Sequence, residues 1–179
     1  MNFEPQPTIQ NELVSIRPLK AEDFEMLYQV ANDPLLWEQH PNPDRYKRDV
    51  FQNFFNGAME SGGAFFVTET TTGETIGSSR YYDFNGETSR VLIGYTFISR
   101  AFWGKSYNKA LKTLMLDHAF KYVEHVHFHI GATNFRSQKA IEKIGARKIG
   151  EADVTYYGER STKNFIYKIE RQDWANRAH

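Results

Sequence analysis

The sequence predicts an α/β (α+β) fold, a central sheet with helices on both faces. Segments of period two and of period 3.6 follow one another in the order β-α-α-β-β-β-α-β-α-β-β. Three strand-like runs in the middle are separated only by the turn signals Thr-Thr-Gly and Asn-Gly-Glu. No internal repeat and no low-complexity linker breaks the 179 residues, so a single domain over 1–179 is expected.

The elements follow in order. "ELVSIRPL" alternates apolar and polar residues and reads as a strand at about 12–18. "AEDFEMLYQVAND" carries Phe24, Leu27, Tyr28 and Ala31 at helical spacing, acids in its first turn and Pro34 just past its end. "RDVFQNFFNGAME" is a second helix with Phe51, Phe54 and Phe55 as its apolar face, closed by Gly62-Gly63. "AFFVTET", "ETIGSSRYYDF" and "SRVLIGYTFIS" are the three strands, and Asn85-Gly86 marks a hairpin. A long helix covers roughly 105–122, with Leu111, Leu114, Met115, His118 and Tyr122 along one face. "HVHFHIGA" reads as a strand and "RSQKAIEKIG" as a helix ending at Gly145. "RKIGEADVTYY" and "STKNFIYKIE" close the chain as a hairpin around Gly158.

Composition excludes several classes. Lys plus Arg and Asp plus Glu number 22 each, so no global charge argues for nucleic acid or an anionic membrane. There is no cysteine, hence no disulfide, thiolate metal site or cysteine nucleophile. The polar opening "MNFEPQPTIQ" is unlike a secretory signal, and no apolar run is long enough to span a bilayer; a cytoplasmic location is expected.

Gly104-Lys105-Ser106 ends like a nucleoside-triphosphate loop. That loop needs a glycine at position 99, where Ser99 stands, and bulky Phe102 and Trp103 occupy its curl. A strand still runs into a short loop that opens a helix. Such a helix start presents unpaired amides and partial positive charge to an anion. An ordinary strand-to-helix turn fits the same residues.

"LVSIRPLKAEDFEMLY", "TIGSSRYYDF", "VLIGYTFIS", "FWGKSYNKALKTLMLDHAF", "NFRSQKAIEKIGARKIG" and "NFIYKIERQDW" decide between them. In this order they resemble the GCN5-related N-acetyltransferase family (GNAT), and within it the branch of the ribosomal-protein N-terminal acetyltransferases. The resemblance covers nearly the whole chain. It implies a mixed, mostly antiparallel sheet of six to seven strands whose central strands splay apart. It implies acetyl-CoA as cosubstrate without a metal, and a primary amine, small molecule or peptide N-terminus, as acceptor. The diphosphate would lie on the amides of Trp103, Gly104, Lys105, Ser106, Tyr107 and Asn108, and the pantetheine arm along Phe97, Ile98 and Ser99. A homodimer is compatible with the strand edges near the C-terminus.

The resemblance places Asn134 and Ser137 near the pantetheine and the sulfur, as an amide partner and a hydroxyl to assist the leaving thiolate. Asn134 equally suits the cap of the helix it precedes. Three family features are replaced: a tyrosine by Ile141, a second loop glycine by Ser106, and a central-strand acid by Leu92. The general base is therefore open among Glu38, His40 and Asp83, with His127 of the His125-His127-His129 strand face as a further proton acceptor. Trp37 and Tyr81 are candidate walls of the acceptor pocket. The replacements also admit a second function, a catalytically degenerate acyl-CoA sensor of the same fold.

Overall fold

The computed structural model describes residues 2–156 and 158–177. Strands β1 (Ile9–Gln10), β2 (Val14–Pro18), β3 (Ala64–Glu69), β4 (Thr75–Asn85), β5 (Arg90–Ile98), β6 (His125–Gly131), β7 (Arg147–Val154) and β8 (Thr162–Glu170) form one sheet. Helices α1 (Phe24–Ala31), α2 (Arg48–Ser61), α3 (Tyr107–Ala119), α4 (Phe135–Lys143) and α5 (Arg171–Ala175) connect and flank them. The spatial order is β1-β2-β3-β4-β5-β6-β8-β7, antiparallel at every step except β5 with β6. The sheet has eight strands rather than six to seven, because the two-residue β1 adds to the edge of β2. Asn85 does mark a hairpin, but its side-chain Oδ1 accepts from the amide of Thr88 at 3.0 Å, building a longer loop than a two-residue turn.

Two cores lie on the two faces. On one, Val14, Ile16, Ile76, Tyr81 and Ile93 pack against Leu111, Met115 and Leu116 of α3 and Ile141 of α4. On the other, Phe66 and Phe97 pack against Leu27 of α1 and Phe51, Phe54 and Phe55 of α2. Odd and even strand positions thus serve different layers, and burial of both faces is what makes β4 read as a continuous run without alternation.

The passage from β2 to α1 is fixed by one carboxylate. Asp23 is 1% exposed, accepts from both terminal nitrogens of Arg17 at 2.8 Å, and accepts from the amide of Lys20 at 2.8 Å. Burial alone would raise its pKa; the Arg17 and Lys20 bonds outweigh it and hold the carboxyl below its ordinary value. Asp23→Ala is expected to cost about 2–3 kcal/mol, below the full penalty of a broken buried pair because Arg17 retains solvent contact. The melting temperature should fall by about 4–12 °C. The wild-type contribution is complete above the ordinary carboxylate pKa and is lost as pH falls through the depressed folded value. Melting curves of wild type and variant that coincide at pH 7 would contradict this.

Candidate functional site

The site begins where the sheet comes apart. β5 and β6 pair only through Arg90, Val91 and Leu92 with His125, Val126 and His127. Past that point β5 keeps β4 on one side and β6 keeps β8 on the other, so a gap opens inside the sheet. The amide of Ser99 donates to Ile76 of the β4 side at 2.8 Å, so by strand alternation the backbone groups of Thr96 and Ile98 turn toward the gap. The carbonyl of Ile98 is taken by the indole Nε1 of Trp103 at 2.9 Å.

A bulge lies on this edge. Ser78 faces Phe97 and Arg80 faces Gly94, leaving Tyr95 and Thr96 together opposite Ser79. Tyr95 adopts φ +53° to make it. Gly94 stands beside it, where a Cβ would lie 3.1 Å from the Tyr82 ring and press it aside.

β5 leads through a short turn to α3. Gly104 has φ +70° and Ser106 has φ +68°, so a serine holds a left-handed conformation that glycine adopts without strain. The first helical bond is from Ala110 to the carbonyl of Ser106 at 2.9 Å. Among the described residues the amides of 104 to 109 have no protein acceptor. Trp103, expected to lend its amide to this run, already donates it to Arg100 at 3.1 Å. The free run is therefore shifted one residue from the expected 103–108.

α4 starts nearby. Asn134 caps it, its Oδ1 accepting from the Ser137 amide at 3.3 Å, while the Ser137 hydroxyl has no protein partner among the described residues. The guanidinium of Arg136 lies 4.0 Å over the Trp103 ring and donates to Glu38 at 3.2 Å, and its amide donates to Gln39 at 3.1 Å. The starts of α3 and α4 and the 38–39 loop are thereby tied together. Glu38, a candidate base, is engaged in that tie.

The face opposite α3 holds the remaining candidates. His127 is the last residue of β6 to pair with β5; burial first, then Arg90 and Lys168, push its pKa down to about 4. His129 follows on the same face beside the gap, makes no hydrogen bond among the described residues, and is pushed down by burial while Asp83 opposes the shift. His40 is driven well below its ordinary value by burial and by Arg45, whose Nη1 lies 3.2 Å from its Nε2. Trp37 is 2% exposed and donates to the Ala31 carbonyl at 2.8 Å, a core position. Tyr81 points to the α3 core and donates to the Met115 carbonyl, so it walls no pocket on this face. Its neighbour Tyr82 lies on the other face, its ring tilted 52° and centred 4.9 Å from that of Tyr95.

Four groups escaped the sequence reading. Arg45, 2% exposed, pairs with Glu159 of the β7–β8 connection at 3.1 Å. Glu159 also lines a cavity of about 720 Å³ between the 41–53 segment and that connection. Arg80 and Tyr95 stack at 4.2 Å. Lys112 of α3 is 5% exposed and donates to the Thr96 hydroxyl, itself 2.8 Å from the Ser79 hydroxyl on the bulge. Gly94 within a strand pattern was the available signal for the bulge. Nothing local signals the others.

Among the described residues no cluster of three His, Asp or Glu side chains could hold a metal. No described helix is long and apolar enough to cross a membrane.

A mixed sheet opened between its central strands, with an unpaired helix start at the mouth, is the architecture of acetyltransferases of one class. Residues 14–147 match the family model of the acetyltransferase (GNAT) domain, and the chain belongs to that family. Solved structures agree on the fold. A probable GNAT-family acetyltransferase from Chromobacterium violaceum superposes with TM-score 0.84 at 19% identity, over 97% of this chain and 91% of that one. A GNAT-family acetyltransferase from Bacillus anthracis gives 0.74 at 21% identity, over 93% and 99%. Spermidine N-acetyltransferase from Vibrio cholerae, solved with CoA and spermine, gives 0.69 at 16% identity, over 93% and 100%.

Lys112 supplies a test of the geometry. Burial without a carboxylate partner lowers its pKa to about 7. Between about 7 and the unfolded value the unfolded chain binds more protons, so wild-type stability is expected to rise with pH. Lys112→Met should match or exceed wild-type stability at pH 7 and show a flatter curve to pH 9.5. Parallel curves for the two proteins in chemical denaturation would refute the buried, uncompensated ammonium.

Proposed function

We propose that this chain is a single-domain N-acetyltransferase that moves an acetyl group from acetyl-CoA to a primary amine. It is assigned to the branch resembling the ribosomal-protein N-terminal acetyltransferases. One coincidence carries the reading. Among the described residues the amides of 104 to 109 are unpaired, and they follow the stretch of β5 that has lost β6. A diphosphate on the first and an amide-rich arm on the second would satisfy both. Family membership supports the same carrier. The name of one structural relative, spermidine N-acetyltransferase, supports an amine acceptor.

When bound, acetyl-CoA would supply the acyl group as a thioester; the chain would do the rest. Gly104 to Lys109 would hold the diphosphate. The Thr96 and Ile98 edge would hold the arm, with the Thr96 amide beside the bulge as the donor to developing oxyanion charge. Ser137, whose hydroxyl is uncommitted, would give a hydrogen bond to the departing sulfur. Asn134 keeps that serine in place by capping α4. His129, kept neutral by burial and facing away from α3, is the assigned acceptor for the amine's proton.

Release of free thiol from acetyl-CoA in the presence of an amine panel tests the function. Turnover is expected, whereas CoA binding without turnover across the panel would favour the sensor. Gly104→Val should weaken CoA binding at least about tenfold, because a β-branched residue resists φ +70° although its side chain would meet open space. An unchanged Kd would remove the diphosphate from this turn. Ser137→Ala should lower kcat about tenfold or more with little change in KM for acetyl-CoA, the pattern of a transition-state contact. Equal kcat values would end its assigned role.

A further inference from the structure

Two arginines on the face opposite α3, Arg45 and Arg80, are almost wholly buried. Arg80 is 4% exposed. Its guanidinium lies 4.2 Å over Tyr95, 5.2 Å from the Phe54 ring and 5.6 Å from the Tyr156 ring. Among the described residues its one hydrogen bond is to the Tyr156 hydroxyl at 3.1 Å, and that hydroxyl itself donates to the Phe54 carbonyl at 3.0 Å. No carboxylate among the described residues pairs with Arg80, and its Nε and Nη1 have no protein acceptor there, although neither is sealed from solvent. Arg45 shares the same aromatic walls, lying 4.6 Å over Phe54 and 4.9 Å over Tyr156, but it has Glu159. Glu159 is the carboxylate among the described residues that pairs with either guanidinium, while Asp83 acts on Tyr82 and Tyr95 without bonding to Arg80.

Buried charges are ordinarily paired, or shed by a proton shift. Lys112, on the other face, can take the second course. A guanidinium cannot, because it stays protonated at any working pH. Aromatic faces offset part of the desolvation cost but leave the planar N–H fork unfilled. That fork matches a carboxylate in two-point contact. Its place in the fold fits an acceptor too. Arg80 is in register with Gly94, next to the Tyr95 bulge, on the face that α3 does not cover.

We propose that Arg80 receives a carboxylate of the acceptor, so that the substrate class is a primary amine carrying a carboxylate rather than a polyamine or a neutral amine. Polycations would meet two buried arginines here. This inference rests on the amine-transfer reading above and narrows it. Two sources share the chemistry: a free amino acid, and a peptide whose N-terminal residue is acidic.

The experiment compares acceptors that differ only in the charge. Phenylalanine is paired with phenylalaninamide, and the amidated tripeptide Asp-Ala-Ala with Asn-Ala-Ala. Each is measured by kcat/KM in thiol release and by calorimetric binding to the free chain. In at least one pair the carboxylate member should be preferred about 10- to 100-fold, the worth of a hydrogen bond to a charged group. The pair that shows it identifies the source. Arg80→Met should bring that ratio to near one, and Arg80→Lys, which keeps charge but loses the fork, should leave an intermediate ratio. Should Arg80→Met fail to fold, the wild-type ratios still decide. Turnover of the amines with ratios near one in both pairs overturns the carboxylate assignment and leaves amine transfer standing. Binding of CoA with no turnover of any amine overturns amine transfer itself, and this inference with it.

Discussion

An interior strand edge without a partner strand is the constraint that organises this molecule. β5 loses β6 after Leu92, in the middle of the sheet rather than at its rim. Backbone groups left unpaired in such a place cost free energy unless something meets them. The chain meets one itself, closing the Ile98 carbonyl with the Trp103 indole. The proposed carrier would meet the rest of the edge. The turn of residues 99–106 then starts α3 at the same mouth, so that an unpaired strand edge and the positive end of a helix lie side by side. Two left-handed residues, Gly104 and Ser106, make so short a reversal feasible. The bulge at Tyr95 bends β5 at the inner end of the gap. Strand, turn and helix are thus one device.

Much of this was legible before any coordinates. Element types followed from periodicity, and the helix start followed from a glycine-bearing turn after an apolar strand. The errors have particular causes. Tyr81 and Tyr82 stand side by side in a strand buried on both faces, so the pattern carries no parity to show that Tyr81 points into the α3 core. On α3 the buried positions are Leu111, Lys112, Met115, Leu116 and Ala119, with His118 beside them. The face expected from apolar residues alone was rotated, because a lysine in the stripe reads as solvent-facing. Arg45 and Glu159 are 114 residues apart and meet only when β8 lies between β6 and β7. No local pattern carries such a pair. The hydrogen bond from Trp103 to Arg100, which moved the free amides by one position, depends on a single turn of 3₁₀ helix at 100–102. Boundaries of that size lie below what periodicity resolves.

The two faces of β4 and β5 differ in how they hold charge, and the difference follows from which cation each uses. Toward α3, Lys112 rests on the Thr96 hydroxyl within an apolar core. Its pKa near 7 lets it become neutral, so that layer stays packed without a counter-ion. On the opposite face Arg80 and Arg45 keep their charge, and among the described residues they meet aromatic rings, the Tyr156 hydroxyl, the His40 ring and the Glu159 carboxylate. A lysine in place of Arg80 would lack the planar fork; an arginine keeps two-point contact with an anion available. The bulge at Tyr95 lies between these layers. The reacting atoms would therefore sit between a layer able to relax its charge and a layer unable to do so. In such a layout the carrier would be held mainly by neutral backbone donors, and choice of acceptor would rest with a fixed charge. This separation lets one fold keep a common carrier groove while its acceptor face is free to differ.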